Sequence, residues 1–271
     1  MLLALLALAL APAQAIEPVL DWTLSGAAFP SGAESSIRAG GRQALWNRPG
    51  NPLLESTFLQ SSGVMMVTPA FTRVDAEVAF QPATIFELRA RYGAIGYYDA
   101  FTAVLLFDDP DAVYDKEERA DLDRTNGIAT RLALEPTLRM KVGPVVFIGW
   151  TIYRFTTLYP GSTTDTGQYW LEPELALLVS RTGTTWDHNA LLAGELTPGD
   201  HTLYLGAYGT LRHAPSTDDT LARVGPVGVW MLPGGNWSLY GICQFYLHDR
   251  VQTRAAPPYV GVRLAWSLNP A

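Results

Sequence analysis

With 271 residues, 48% of them hydrophobic and 17% charged, the chain is long enough for one large domain and too apolar for disorder. A net charge of −7 argues against nucleic acid as a partner, because phosphate binding needs a basic footprint. The single cysteine, Cys243, excludes an internal disulfide, and the basic residues are arginines apart from Lys116 and Lys141.

The chain opens MLLALLALALAPAQAIEP, an apolar run that ends in Ala13, Gln14 and Ala15. That is the small-x-small pattern of a signal-peptidase site, so residues 1–15 read as a signal peptide and the protein as exported. The run is shorter than the roughly 20 residues a membrane-spanning helix needs. Residues 16–35 are expected to form a periplasmic lead-in or a plug, and residues 36–271 a barrel.

From there the pattern has period two. Residues 72–80 set Thr72, Val74, Ala76, Val78 and Phe80 on one face and Arg73, Asp75, Glu77 and Ala79 on the other. After the turn QPAT, Phe86, Leu88, Ala90, Tyr92 and Ala94 oppose Glu87, Arg89, Arg91 and Gly93. In residues 126–141, Ile128, Leu132, Leu134, Leu138 and Met140 oppose Arg131, Glu135, Thr137, Arg139 and Lys141. In residues 201–213, Leu203, Leu205 and Leu211 oppose Tyr204, Tyr208 and Arg212, and near the end Val260, Val262, Leu264 and Trp266 oppose Tyr259, Arg263 and Ser267. The alternation predicts ten strands, at residues 36–46, 62–80, 84–98, 126–141, 145–158, 185–196, 201–213, 221–231, 237–248 and 258–268. Residues 169–180 also alternate and are expected as a strand pair extending above the membrane. Tight connections (QPAT, VGP, TPGD, LPGGN) alternate with longer polar ones at 99–125, 159–184, 214–220 and 249–257. Short turns on one side and long loops on the other predict an all-β, up-and-down antiparallel transmembrane barrel of about ten strands, within a range of 8 to 12.

The charged faces carry Arg beside Asp or Glu across turns and almost no Lys, which suits an enclosed lumen where polar groups satisfy one another. The expected lumen network is Arg73, Asp75, Glu77, Glu87, Arg89, Arg91, Arg131, Glu135, Arg139, Arg212 and Arg263. With Arg38, Arg42, Lys141 and Arg223 against Asp187 and Glu195, the lumen is expected to lean positive. Phe80, Trp230, Trp237 and Trp266 near the tight-turn ends form an expected aromatic belt. Trp186, with Trp46 and Tyr98, is placed near the opposite ends. Cys243 shares the outward face with Leu239, Phe245 and Leu247.

Through QPATIFELRARYGAIGYY, ARVGPVGVW and PPYVGVRLAWSL, residues 36–268 resemble bacterial outer-membrane β-barrel proteins, in particular the poorly characterised ten-to-twelve-strand barrels of proteobacteria. The resemblance implies the outer membrane of a Gram-negative bacterium, contact with its lipid and lipopolysaccharide, and insertion by the barrel assembly machinery. That machinery reads an aromatic-ended last strand, whereas this chain ends WSLNPA.

No catalytic motif, cofactor motif or metal-ligand spacing is present. His188 with Ser180 is the nearest approach to a lipid-hydrolase pair, and the acidic run 107–124 is read as a solvated loop in preference to a Ca²⁺ site. The leading expectation is therefore a non-enzymatic barrel, either a narrow anion or small-solute channel or a loop-presenting binding barrel. A lipid-modifying hydrolase and a structural or adhesive barrel are the alternatives, and the oligomeric state is left open.

Overall fold

The computed structural model describes residues 15–28, 32–98, 104–114, 124–161, 167–251 and 256–268. The expected signal peptide lies, except for Ala15, outside them. Twelve strands close an antiparallel barrel: β1 (Glu17–Ala28), β2 (Gly32–Ala44), β3 (Phe58–Val67), β4 (Phe71–Ala83), β5 (Phe86–Tyr97), β8 (Gly127–Val142), β9 (Val145–Pro160), β12 (Thr182–Leu196), β13 (Thr202–Ala214), β14 (Asp219–Met231), β15 (Trp237–Asp249) and β16 (Tyr259–Ser267). Each pairs with its predecessor among them, and β1 closes the cylinder on β16. A four-stranded sheet, β11 (Leu177–Ser180), β10 (Tyr169–Glu172), β6 (Val104–Phe107) and β7 (Arg124–Thr125), is built from the two longest loops.

Two corrections turn ten strands into twelve. Residues 17–28, expected as a lead-in or plug, are a wall strand that pairs with β2 from Glu17↔Arg42 and with β16 from Asp21↔Ser267. The expected strand 62–80 is two, β3 and β4, joined by a turn in which Thr68 Oγ1 accepts from the backbone N–H groups of Ala70 and Phe71 at 3.1 and 2.9 Å. Because both omissions add one strand, the parity is unchanged and the described ends of the chain lie at one end of the barrel, here called the terminal end. The QPAT, VGP, TPGD and LPGGN turns lie there too, together with the longer connection 45–57. The cap sheet lies at the other end.

The side-chain polarity is inverted relative to a soluble barrel. Leu20, Leu24, Ile37, Val74, Tyr92, Ile128, Leu132, Phe155, Leu192, Leu205, Phe245 and Val262 are exposed, on the outer wall. Arg73, Asp75, Glu77, Glu87, Arg131, Arg154, Asp187 and Arg223 are buried inside it. Soluble proteins rarely expose contiguous apolar faces this extensive, and seldom bury so many charges, paired or not. Strand lengths from 9 to 16 residues meet the 9–11 that a tilted strand needs to cross a bilayer.

At the capped end the inward positions change from ionic to apolar. Phe71, Ile95, Tyr97, Ala129, Leu158, Ala214 and Leu221 from the barrel pack with Val104, Trp170, Leu175, Leu177 and Val179 from the cap. Trp170 is fully buried, edge-on to Tyr97 with ring centroids 5.3 Å apart. Asp219, at the start of β14, fastens the cap by accepting from Tyr114 Oη and from the Leu178 backbone N–H, each at 2.7 Å.

Candidate functional site

The inner wall of β4, β5, β8, β9 and β12 carries a continuous ionic network. Glu77, whose side chain is 0% exposed, faces Arg38 at 2.9 Å, Arg89 at 3.7 Å and Arg91 at 3.8 Å, and accepts from Ser62 Oγ at 3.1 Å. Arg89 and Arg139 hold the two oxygens of Glu87 at 2.7 and 2.8 Å, Arg91 pairs with Glu135, and Arg73 Nε lies 2.9 Å from Asp75. The backbone makes room for Asp75 at Gly93, where a Cβ would run into the Val74 carbonyl and the Asp75 carboxylate.

Toward the cap the network meets a partner from outside the barrel wall. Residues 169–180 do form a strand pair, β10–β11, but its turn does not extend outward. It dips into the lumen, where Glu174 Oε2 accepts from Arg73 at 2.8 Å and Arg131 at 2.7 Å, with Arg154 at 3.9 Å. Glu172 lies 3.4 Å from Arg131, and Arg212 donates to the carbonyls of Glu174 and Leu175 while facing Asp187 at 3.4 Å. Burial opposes ionisation of Glu174, yet the guanidiniums of Arg131, Arg73 and Arg154 outweigh it and hold its carboxyl well below the usual carboxylate range. Burial raises Glu172 against the pull of Arg131.

These contacts change the charge expected for the lumen. Glu172 and Glu174 from the hairpin, and Asp21 and Glu34 from β1 and β2, are acids absent from the expected set. Arg154 is a base absent from it. Its strand shows no clean alternation, because the inward face otherwise carries Ile148, Trp150 and Ile152.

The wall of β16, β1 and β2 differs. Its inner face carries the small residues Thr23, Ser25, Ser36 and Gly40, with Tyr259 and Arg42, the latter donating to Gln60, and two ion pairs. Arg263 and Glu34 face each other at 3.5 Å with side chains 50% and 30% exposed, and Arg38 and Asp21 at 3.2 Å with side chains 24% and 26% exposed. Water therefore reaches the inner face of this wall near both ends.

On the outer wall, Trp22, Trp237 and Trp266 meet across the β15–β16–β1 seam near the terminal end, with Trp22 edge-on to Trp237 at 6.2 Å. Trp230 contacts His201 at the same end. Trp46 belongs there as well, packed against Phe80 at 6.3 Å, and not at the opposite end where the ten-strand count puts it. Trp186 lies near the capped end against His188 and His213. His188 Nδ1 pairs with Thr151 Oγ1 at 2.8 Å on this outer wall, while Ser180 Oγ donates to the Thr182 carbonyl at 2.8 Å. The two members of the candidate hydrolase pair thus have separate partners. Half of the acidic run 107–124, residues 115–123, lies outside the described residues.

No protein-family model and no curated protein matches the chain. Among solved structures, similarity is found to a NanC porin at a TM-score of 0.42 and 8% identity, over 92% of this chain and 99% of that one. The translocator domain of the autotransporter NalP from Neisseria meningitidis gives 0.40 and 9%, over 95% and 89%. OmpT, an outer membrane protein of Vibrio cholerae, gives 0.32 and 10%, over 93% and 99%. Likenesses this distant say nothing of substrate or partner.

Proposed function

We propose that the protein spans an outer membrane of Gram-negative type and passes small ions along the inner face of β16, β1 and β2, with a preference for anions. The terminal end faces the periplasm, the aromatic side chains lie at the two lipid interfaces, and the cap and its loops face outward, where they meet lipopolysaccharide and present a surface for recognition. Insertion falls to the barrel assembly machinery.

The observation that carries the membrane reading is the inverted polarity: apolar residues exposed around the outside, ions buried within. The wet inner wall supports conduction there and not through the centre, which the hairpin and its arginines fill. Twelve strands lie between the eight whose interior side chains fill and the 16 or more that leave an open channel.

Membrane fractionation followed by heat-modifiable gel migration tests the architecture; a mature chain freely soluble without detergent overturns it. Planar-bilayer recording tests conduction. Small, anion-preferring steps are expected, with the preference reduced in Arg38→Gln and Arg263→Gln. A barrel that inserts and stays silent overturns the channel and leaves the recognition surface as its role.

A further inference from the structure

Under the tip of the hairpin lies a cavity of about 40 Å³ lined by Arg73, Asp75, Arg91, Arg131, Ala133, Ile152, Arg154 and Glu174. Its polar lining is four guanidiniums and two carboxylates. Arg73, Arg131, Arg154 and Asp75 are each more than nine-tenths buried, while the Arg91 and Glu174 side chains keep 18% and 22% of their surface exposed at its rim.

The carboxylates are already engaged: Asp75 lies 2.9 Å from Arg73 Nε, and Glu174 is shared by Arg73 and Arg131. Donors are left over. Arg154 Nη1 and Arg131 Nε, both buried, have no hydrogen-bond partner among the described residues, and the nearest carboxylate given to Arg91 Nε is Glu77 at 3.8 Å. A buried donor without an acceptor costs about 1–3 kcal/mol, and more when charged. Each of these arginines also has a carboxylate outside the cavity, Glu135 for Arg91, Glu172 for Arg131 and Asp187 for Arg154, so what the cavity itself lacks is acceptor capacity for the leftover N–H groups.

We propose that this cavity is a binding site for a small monovalent inorganic anion of chloride size, held by Arg91, Arg131 and Arg154 beneath Glu174. A water molecule fits the volume but matches the chemistry less well, since each water accepts from two donors and must also find acceptors for its own two hydrogens. The anion accepts from every side. It gives the leftover donors of Arg131 and Arg154 a common acceptor beneath Glu174, so binding locks the hairpin and the cap above it. The site goes beyond the conduction reading, because it lies in the ion-paired half of the lumen and is occupied whether or not the barrel conducts.

The test uses the refolded barrel in detergent, crystallised with bromide in place of chloride. An anomalous peak inside the cavity is expected; a docked hairpin above a cavity with no peak overturns the proposal. In parallel, the unfolding midpoint is followed in sodium chloride and in sodium gluconate at equal ionic strength. Chloride is expected to raise it by roughly 3 °C for each tenfold rise in concentration above the dissociation constant. Arg154→Met abolishes that dependence, and Arg139→Gln, a lumen arginine outside the cavity, keeps it. Equal chloride dependence in the wild type and Arg154→Met overturns the site. If Arg154→Met does not fold, the bromide map of the wild type decides.

Discussion

The two halves of the lumen solve the same problem with different chemistry. Along β4, β5, β8, β9 and β12, long ionic side chains fill the bore, and the acids Glu77, Glu87 and Asp187 are buried among two or more arginines each. Along β16, β1 and β2, the inward residues are mostly short, Tyr259 and Arg42 apart, and Arg263, Glu34, Arg38 and Asp21 keep contact with water. The apolar core under the cap follows the same division. It draws its barrel residues from β4, β5, β8, β9, β13 and β14 and none from the β16–β1–β2 wall. A half filled with desolvated ions resists change because removing one partner strands the others. A wet half tolerates change because solvent replaces what is lost. Rigidity belongs to one wall and, on the proposed function, permeability to the opposite one.

The largest expected effect lies in the filled half. Glu77→Ala leaves Arg38, Arg89 and Arg91 facing one another without their shared carboxylate, a loss of about 3–5 kcal/mol. Urea unfolding in detergent, followed by gel mobility, measures it. A change below about 1 kcal/mol breaks the contrast between the halves, since it would mean that water already screens Glu77.

Next comes the hairpin. Glu174→Gln keeps the shape and removes the charge that Arg73 and Arg131 share, so the cap loosens while the barrel stays folded. Faster hydrogen exchange across β10 and β11, with unchanged protection in β4 and β5, is the expected result. Acid sharpens the point. Because the Glu174 carboxyl is held below its ordinary range, its contribution to docking is complete at neutral pH and is lost only as pH falls through the depressed value, below about pH 4. Glu172 is raised by burial, so its proton uptake opposes no folding at mildly acid pH. The protection of the cap, after correction for the intrinsic pH dependence of amide exchange, is therefore not weakened between pH 7 and pH 5 and is lost only in stronger acid. A loss centred near pH 6 would contradict the assignment of Glu174 as the latch.

Most of the barrel was legible because alternation of charge with grease survives in any strand whose two faces meet different media. The β4–β5 hairpin shows it residue by residue, and eleven of the twelve wall strands, all but β1, overlap predicted segments, β3 and β4 sharing one. β1 also alternates, Leu20, Trp22 and Leu24 against Asp21, Thr23 and Ser25, but its inward side is mostly short, so the segment reads as a lead-in or plug. The merged segment 62–80 had a physical tell: nineteen extended residues cover roughly 60 Å, twice the hydrocarbon thickness. The Thr68–Pro69–Ala70 turn divides it. The hairpin's role was not legible. Nothing local in YWLEPELALLVS says whether its turn points away from the barrel or into it; that depends on which arginines wait below.

The smallest effects on stability, and the sharpest on function, are expected in the wet half. Arg263→Gln and Glu34→Gln change a pair 3.5 Å apart whose side chains are half and one-third exposed. Water solvates whichever partner remains, so each stays within roughly ±0.5 kcal/mol of the parent. The proposed conduction along this wall would depend instead on the sign of the field that a passing ion meets. Arg263→Gln lowers anion preference and Glu34→Gln raises it, in opposite directions from nearly equal stabilities. Reversal potentials in a salt gradient read the two shifts directly. Unchanged potentials in both variants would move the conducting path off this wall, and the filled half would then have to carry it against the closure that its ion pairs impose.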